Sequence, residues 1–271
     1  MANPNFTTHK FPLNNGNAIP AIGLGTWQSK ENDTREAVKH ALQHGYRHID
    51  TALNYSNEKE VGEGIHASGV PRDQIWVTTK LDNHWHHRVR DGLESSLNDL
   101  GLDYVDLFLI HFPCSTDPDD RSKHLADWDF IRTWQEMQKL LHTRKVKNIG
   151  VSNFQITHLE KLLNHPSCEV VPAINQIEVL HFIPTIPHPV VLKLAENKGK
   201  TAAQILLMWG LQRGTSTIPK SVTLSRIDSN FELDGWGLTE QEFQSLNDIT
   251  TRAKVVGDGW MPIRVFLGDD E

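Results

Sequence analysis

The sequence predicts an α/β protein, a single (β/α)8 barrel domain over residues 1–271. Three observations predict it. β-branched runs and amphipathic helical segments alternate strictly along the chain, as an all-parallel sheet requires. No shift in composition marks a linker between domains. Finally, the strands carry polar or titratable residues at their C-terminal ends, the rim where such barrels keep their chemistry. A doubly wound open sheet is the alternative that the same alternation permits.

Phe11 to Pro20 predicts a small hairpin turning at Asn14-Asn15-Gly16-Asn17. Ala21 to Thr26 is a short apolar strand ending at Trp27. Asp33 or Thr34 caps a helix whose Ala37, Val38, Ala41 and Leu42 recur at helical spacing, and Gly45 ends it. A strand through Ile49 follows, then a helix from Glu60 to Ala67 that stops near Gly69. Ile75 to Lys80 is a strand, and Leu93, Leu97 and Leu100 mark the next helix. Tyr104 to His111 is the most hydrophobic run and reads as a strand buried on both faces. A helix from about Trp128 to Leu141 leads to strand Val146 to Val151. Then come a helix through Ile156, Leu159, Leu162 and Leu163, and strand Val170 to Ile177. The last strand is Ser216 to Ile218, the seventh by count.

Bulk properties narrow the partners. Net charge is −7, the isoelectric point is near 6.1 and no basic run occurs, which argues against nucleic acid or an anionic membrane. Met1 to Asn5 has neither a charged nor an apolar leader region, and no run approaches a spanning helix. Cys114 and Cys168 stand far apart, as reduced thiols would in a cytoplasmic protein. The expectation is a soluble, cytoplasmic, monomeric chain acting on a small molecule.

Two motifs are set aside. Gly62-Glu63-Gly64-Ile65-His66-Ala67 matches the dinucleotide-binding glycine fingerprint, but it lies within a helical segment begun by Asn57-Glu58-Lys59-Glu60. Those acids would repel a pyrophosphate. His84, His86 and His87 crowd one loop without a second ligand cluster, so no metal is expected.

The strand ends carry Asp50 and Tyr55, Lys80, His111, Ser152 and Asn153, then Asn175 and Gln176. A partly desolvated Lys80 needs an anion, and Asp50 is the obvious one. A free tyrosine, with a pKa of about 10, is a poor acid or base near neutrality. A neighbouring ammonium moves it toward the working range, and His111 can hold a substrate oxygen in line. This set supports carbonyl reduction.

Seven blocks resemble the aldo-keto reductase family, in order and over nearly the whole chain. They are Gly23 to Trp27, Gly45 to Tyr55, Thr78 to Leu81, Leu109 to His111, Asn148 to Phe154, Asn175 to Glu178, and Ile218 to Val222. The resemblance implies a (β/α)8 barrel that binds NADPH without a Rossmann domain. It implies a catalytic tetrad of Asp50, Tyr55, Lys80 and His111, with Tyr55 protonating the carbonyl oxygen. Ser152, Asn153 and Gln176 match the groups that hold the nicotinamide carboxamide. Lys220, Ser221 and Arg226 match those around the 2′-phosphate, Asn230 matches an adenine contact, and Thr26 and Val222 fall among the cofactor contacts. Two cations beside that phosphate argue for NADPH over NADH.

The chain also departs from the family. After Glu178 to Pro184, the text from Pro187 to Leu194 already reads like the helix that should follow strand seven. About one helix, strand and loop is missing, a βα unit of roughly 30 residues joined near Thr185-Ile186. In the family that segment stacks an aromatic residue on the nicotinamide, and Tyr46, Tyr55 and Tyr104, the only tyrosines here, do not match its position. Two explanations stay open, a mispredicted or spliced gene product and a natural seven-stranded relative. Two functions follow: an NADPH-dependent reductase, and a catalytically impaired barrel, a splice or gene-model variant, that cannot hold the cofactor and has at most a binding role. At the substrate pocket Trp27 is kept, Phe112 follows His111 where a tryptophan is common, and Asp82 stands where an aromatic is frequent. An acidic wall favours small hydroxylated aldehydes or aldoses, unless Asp82 points to solvent.

Overall fold

The computed structural model describes residues 5–178, 188–250 and 256–266. The hairpin forms as β1 (Lys10–Pro12) antiparallel to β2 (Ala18–Pro20), with Phe11 opposite Ile19. Gly16 makes the turn at φ 85°, where a side chain would be strained.

Six further strands follow: β3 (Leu24–Gly25), β4 (His48–Asp50), β5 (Trp76–Leu81), β6 (Leu107–Ile110), β7 (Ile149–Ser152) and β8 (Asn175–Gln176). Their sheet order is their chain order. A doubly wound sheet would reverse direction at a switch point, so this order excludes that alternative. From β5 to β8 the pairing is parallel, with Thr78 opposite Leu107, Phe108 opposite Ile149 and Val151 opposite Asn175.

Between the strands lie α1 (Glu31–His44), α2 (Glu58–Ser68), α3 (Val89–Leu100), α4 (Phe130–Leu140) and α5 (Ile156–Leu163). They are followed by α6 (Pro189–Lys198), α7 (Ala202–Gln212), α8 (Leu224–Phe231) and α9 (Glu240–Asn247). Helix α1 corrects the sequence reading. It begins at Glu31, behind Lys30, without a side-chain cap, and Thr34 is already inside it, donating back to the Lys30 carbonyl. Glu31 and Asp33 in the first turn oppose the positive helix end instead. Gly45 does stop the helix, at φ 121°.

Several strands are shorter than their apolar runs suggest. Proline supplies no ladder N–H. Ser216–Ile218 is therefore not a strand: ahead of Pro219 only Thr217 bridges Ile22, and beyond it Lys220 bridges Gly25. Gly23 donates to the Thr217 carbonyl and Gly25 to that of Pro219. The glycines of α2 serve packing: a Cβ at Gly62 would stand 2.0 Å from the Leu100 carbonyl oxygen.

The residues divide into two compact units, each assembled from three stretches. The first takes Met1–Ile49, Gly64–Ile75 and Glu178–Val255. Val38, Leu42, Ile205, Met208 and Ile227 are buried in it, and Tyr46 donates its hydroxyl to the Ile227 carbonyl. The second takes Asp50–Glu63, Trp76–Ile177 and Val256–Glu271, with Leu81, Leu93, Phe108, Leu109 and Val151 in its core. No helix among the described residues is long and apolar enough to cross a membrane. The expected join near Thr185-Ile186 falls in 179–187, outside the described residues.

Candidate active site

The second unit brings the expected catalytic residues together. Asp50 ends β4, and Tyr55 closes a 3-10 turn over Leu53–Tyr55 that Ser56 terminates at φ 56°. Lys80 lies on β5 with no exposed surface. Its ammonium spends its three donors on Asp50 Oδ1 at 2.6 Å, the Thr51 carbonyl at 2.8 Å and the Tyr55 hydroxyl at 3.3 Å. The other carboxylate oxygen of Asp50 accepts from Gln176 Nε2 at 2.7 Å. A buried cation with one anion and two further oxygens meets the condition under which such a charge is tolerated.

His111 follows β6 and meets Tyr55 edge to face, with ring centres 5.5 Å apart. Asn153 holds it from behind. Its Nδ2 donates to the His111 carbonyl at 2.9 Å and to Ser152 Oγ at 3.1 Å, and its backbone sits at φ 62°, which asparagine tolerates better than most residues. Ser152 in turn donates to the Gln176 carbonyl at 2.9 Å. Asp50, Lys80, Gln176, Ser152, Asn153 and His111 thus form one hydrogen-bonded chain.

Burial and the Lys80 ammonium push His111 down to about 3, so its imidazole is neutral near pH 7. Burial pushes Lys80 down, but Asp50 and Tyr55 together outweigh it and leave the ammonium held above its ordinary range. Tyr55 corrects the sequence reading. Lys80 does lower the phenol's pKa, yet burial raises it more, and Asp50 adds to the rise. The phenol is therefore held above its ordinary range.

The substrate-side residues divide. Asp82 does not point to solvent: it is 6% exposed, accepts from the Asn83 N–H at 2.6 Å and lies 3.1 Å from His84 and 3.4 Å from Arg121. Phe112 stacks on His111 with ring centres 4.9 Å apart. Trp260 meets Phe112 edge-on at 5.3 Å, and Met261, Val265 and Phe266 share a buried cluster with Phe112 and Cys114. The Gly257–Pro262 stretch thus packs beside His111 through Phe112.

Residues 21–186 match the Aldo/keto reductase family. The chain belongs to that family. It is 38% identical to glycerol 2-dehydrogenase (NADP(+)) of Saccharomyces cerevisiae, covering 96% of this chain and 97% of that one. It is 40% identical to D-galacturonate reductase of Hypocrea jecorina, covering 88% and 89%. Among solved structures, the aldose reductase of Schistosoma japonicum superposes with a TM-score of 0.88 at 33% identity, over 97% of this chain and 100% of that one. The Bombyx mori aldo-keto reductase in complex with NADP gives 0.81 at 36%, over 89% and 92%. The fold is thus the α/β barrel type of the aldo-keto reductases.

The remaining expected residues of this aldo-keto reductase lie in the first unit. Thr26 is buried and Trp27 is 39% exposed. Lys220, Ser221 and Val222 precede α8, Arg226 stands in its first turn, and Asn230 is buried near its end. Lys220 and Arg226 are exposed, and among the described residues neither is ion-paired to an acid. Two uncommitted cations with the Ser221 hydroxyl at one helix start are a fitting donor set for a phosphate.

Glu58, named from the sequence only as one of the acids that open α2, is buried and accepts from Thr79 Oγ1, next to Lys80, at 2.5 Å. Burial raises it to about 7 against the lowering effect of Thr79 and Ser96. Because the folded chain holds this proton more tightly than the unfolded one, stability is lost as pH climbs from about 4.5 to 7. Glu58→Gln removes that loss and keeps the Thr79 contact. Thermal melts are expected to coincide near pH 4.5 and to favour the variant above pH 7, by on the order of 3 kcal/mol. Parallel pH dependences in the two proteins would contradict it.

Proposed function

We propose that this chain is an NADPH-dependent reductase of aldehydes and ketones, a single domain with Asp50, Tyr55, Lys80 and His111 as its catalytic tetrad. The observation that carries the reading is the buried Lys80, tied at once to Asp50 and the Tyr55 hydroxyl. Bound NADPH supplies the hydride for the carbonyl carbon. Tyr55 gives its phenolic proton to the carbonyl oxygen, and Lys80 stabilises the phenolate that remains. Asp50 fixes Lys80, and neutral His111 orients the oxygen without adding charge. Lys220, Ser221 and Arg226 take the 2′-phosphate, Asn230 takes the adenine, and Thr26 and Val222 are further cofactor contacts. Ser152, Asn153 and Gln176 hold the carboxamide. The relatives named for NADP(+) and crystallised with NADP support this choice of cofactor.

Small hydroxylated aldehydes or aldoses are the favoured substrates, with Trp27, Asp82, His111 and Phe112 lining their site. Relatives named for glycerol and galacturonate support that class. The product is the corresponding alcohol, and we place the enzyme in the cytoplasm as a monomer.

A second reading has one observation in its favour. The match to the yeast relative runs over 306 positions, although this chain has 271 residues, so the relative carries residues that are absent here. A barrel that has lost its grip on the cofactor would be the result. Titration with NADPH, followed by quenching of tryptophan fluorescence, separates the two. Saturable binding, with faster NADPH oxidation on glyceraldehyde than on benzaldehyde, is expected. Absence of saturable binding would leave the impaired barrel. Binding with benzaldehyde preferred would remove the substrate class alone.

A further inference from the structure

Away from the tetrad, the first unit holds a second group of chemically capable side chains. His40 and His44 are one turn apart on α1 and therefore share a face, with their rings stacked 5.9 Å apart at 16°. Helix α8 lies along this part of α1 and presents Asp228. One carboxylate oxygen, Oδ1, stands 2.5 Å from His40 Nε2 and 3.3 Å from His44 Nδ1. All three candidate ligand atoms lie within 4.8 Å of one another. Two imidazoles converging on a single oxygen is more than one ion pair needs.

We propose that His40, His44 and Asp228 bind one divalent transition ion of the zinc type. The donors decide the class: two imidazole nitrogens and one carboxylate oxygen suit zinc, cobalt or nickel, whereas magnesium and calcium call for oxygen. Spacing agrees. Ligands about 2.0–2.2 Å from a tetrahedral ion stand roughly 3.4 Å from one another. The His44–Asp228 distance of 3.3 Å already meets this, the His40–Asp228 pair opens from 2.5 Å on metal entry, and the two imidazole nitrogens start within 4.8 Å of each other. Side-chain exposures of 30%, 36% and 33% give the ion a path in and leave water the fourth position. Paired histidines one helical turn apart are a recurrent zinc-binding arrangement. The bound ion would tie α8 to α1. Because Arg226 and Asn230 flank Asp228 on α8, occupancy would also steady two of the residues proposed to hold the cofactor. That consequence rests on the cofactor reading; the binding itself does not.

The test is calorimetric titration of the full chain with zinc at pH 7.5 after chelator treatment, beside His44→Gln and Asp228→Asn. One ion per chain is expected, with affinity falling by about tenfold or more in each variant. Cobalt should give visible absorption bands in the wild type that both variants lose. Circular dichroism checks that the variants fold. No uptake by the wild type, or equal affinity in the variants, as binding at His84, His86 and His87 would produce, overturns the proposal. Failure of NADPH binding with zinc uptake intact would touch only the cofactor reading.

Discussion

Tyr55→Phe is expected to lower kcat/KM for aldehyde reduction by about 10²–10⁴-fold, the usual contribution of a positioned general acid. The substitution removes one hydroxyl. The ring keeps its edge-to-face packing on His111, and Lys80 keeps two of its three acceptors, Asp50 and the Thr51 carbonyl. Stability should change by no more than about 1 kcal/mol, the worth of one hydrogen bond. NADPH affinity should hold within roughly twofold, because an interaction made only in the transition state leaves ground-state binding unchanged. Steady-state rates and fluorescence titration of the same preparation read both quantities. The pH profile adds a sign. Burial raises the phenol, so the acid form persists through neutrality and the reduction rate should fall only on the alkaline side. A Phe variant that kept most of its activity would remove Tyr55 from the mechanism.

Lys80→Met has the larger effect on the fold. It leaves Asp50, 2% exposed, without the ammonium 2.6 Å away. Breaking a buried pair on one side costs about 3–5 kcal/mol, because the remaining charge is desolvated and uncompensated. For a chain of this size the apparent Tm should drop by roughly 10 °C. The double variant Asp50→Asn, Lys80→Met removes both charges and should recover most of that loss, yet remain inactive. A melting experiment on the four-member cycle yields the coupling. If the double variant melted as low as the single one, the charge explanation would fail and loss of packing would replace it.

Much of this site was legible in the sequence because its residues stand at strand ends, and strand ends are local. Asp50, Lys80 and His111 needed only the strand pattern. What escaped depends on distant partners. Asp82 is held by Arg121, far along the chain, so its burial has no local signature. Trp260 and Phe266 reach Phe112 through the packing of a loop, which no periodicity marks. The phenol of Tyr55 moves up where a nearby ammonium suggests down, because the extent of burial is set by the whole neighbourhood. Strand lengths were overread where apolar runs contain or abut proline, as at Pro219. His40 and His44 share a helix face in the sequence, but Asp228 is their neighbour only after folding.

The two units are interleaved in the chain, and this governs the order of assembly on the ribosome. Gly23 donates to the Thr217 carbonyl and Tyr46 to that of Ile227, so the earliest elements wait for the last third of the translation product. Until then β3 has β4 on one side only, and its other edge is open to chaperones or to aggregation. Nascent chains arrested ahead of Thr217 should be protease-sensitive throughout the first unit. The protein should also resist division into two separately expressed halves, since any cut between Asp50 and Val255 leaves each unit short of residues it needs.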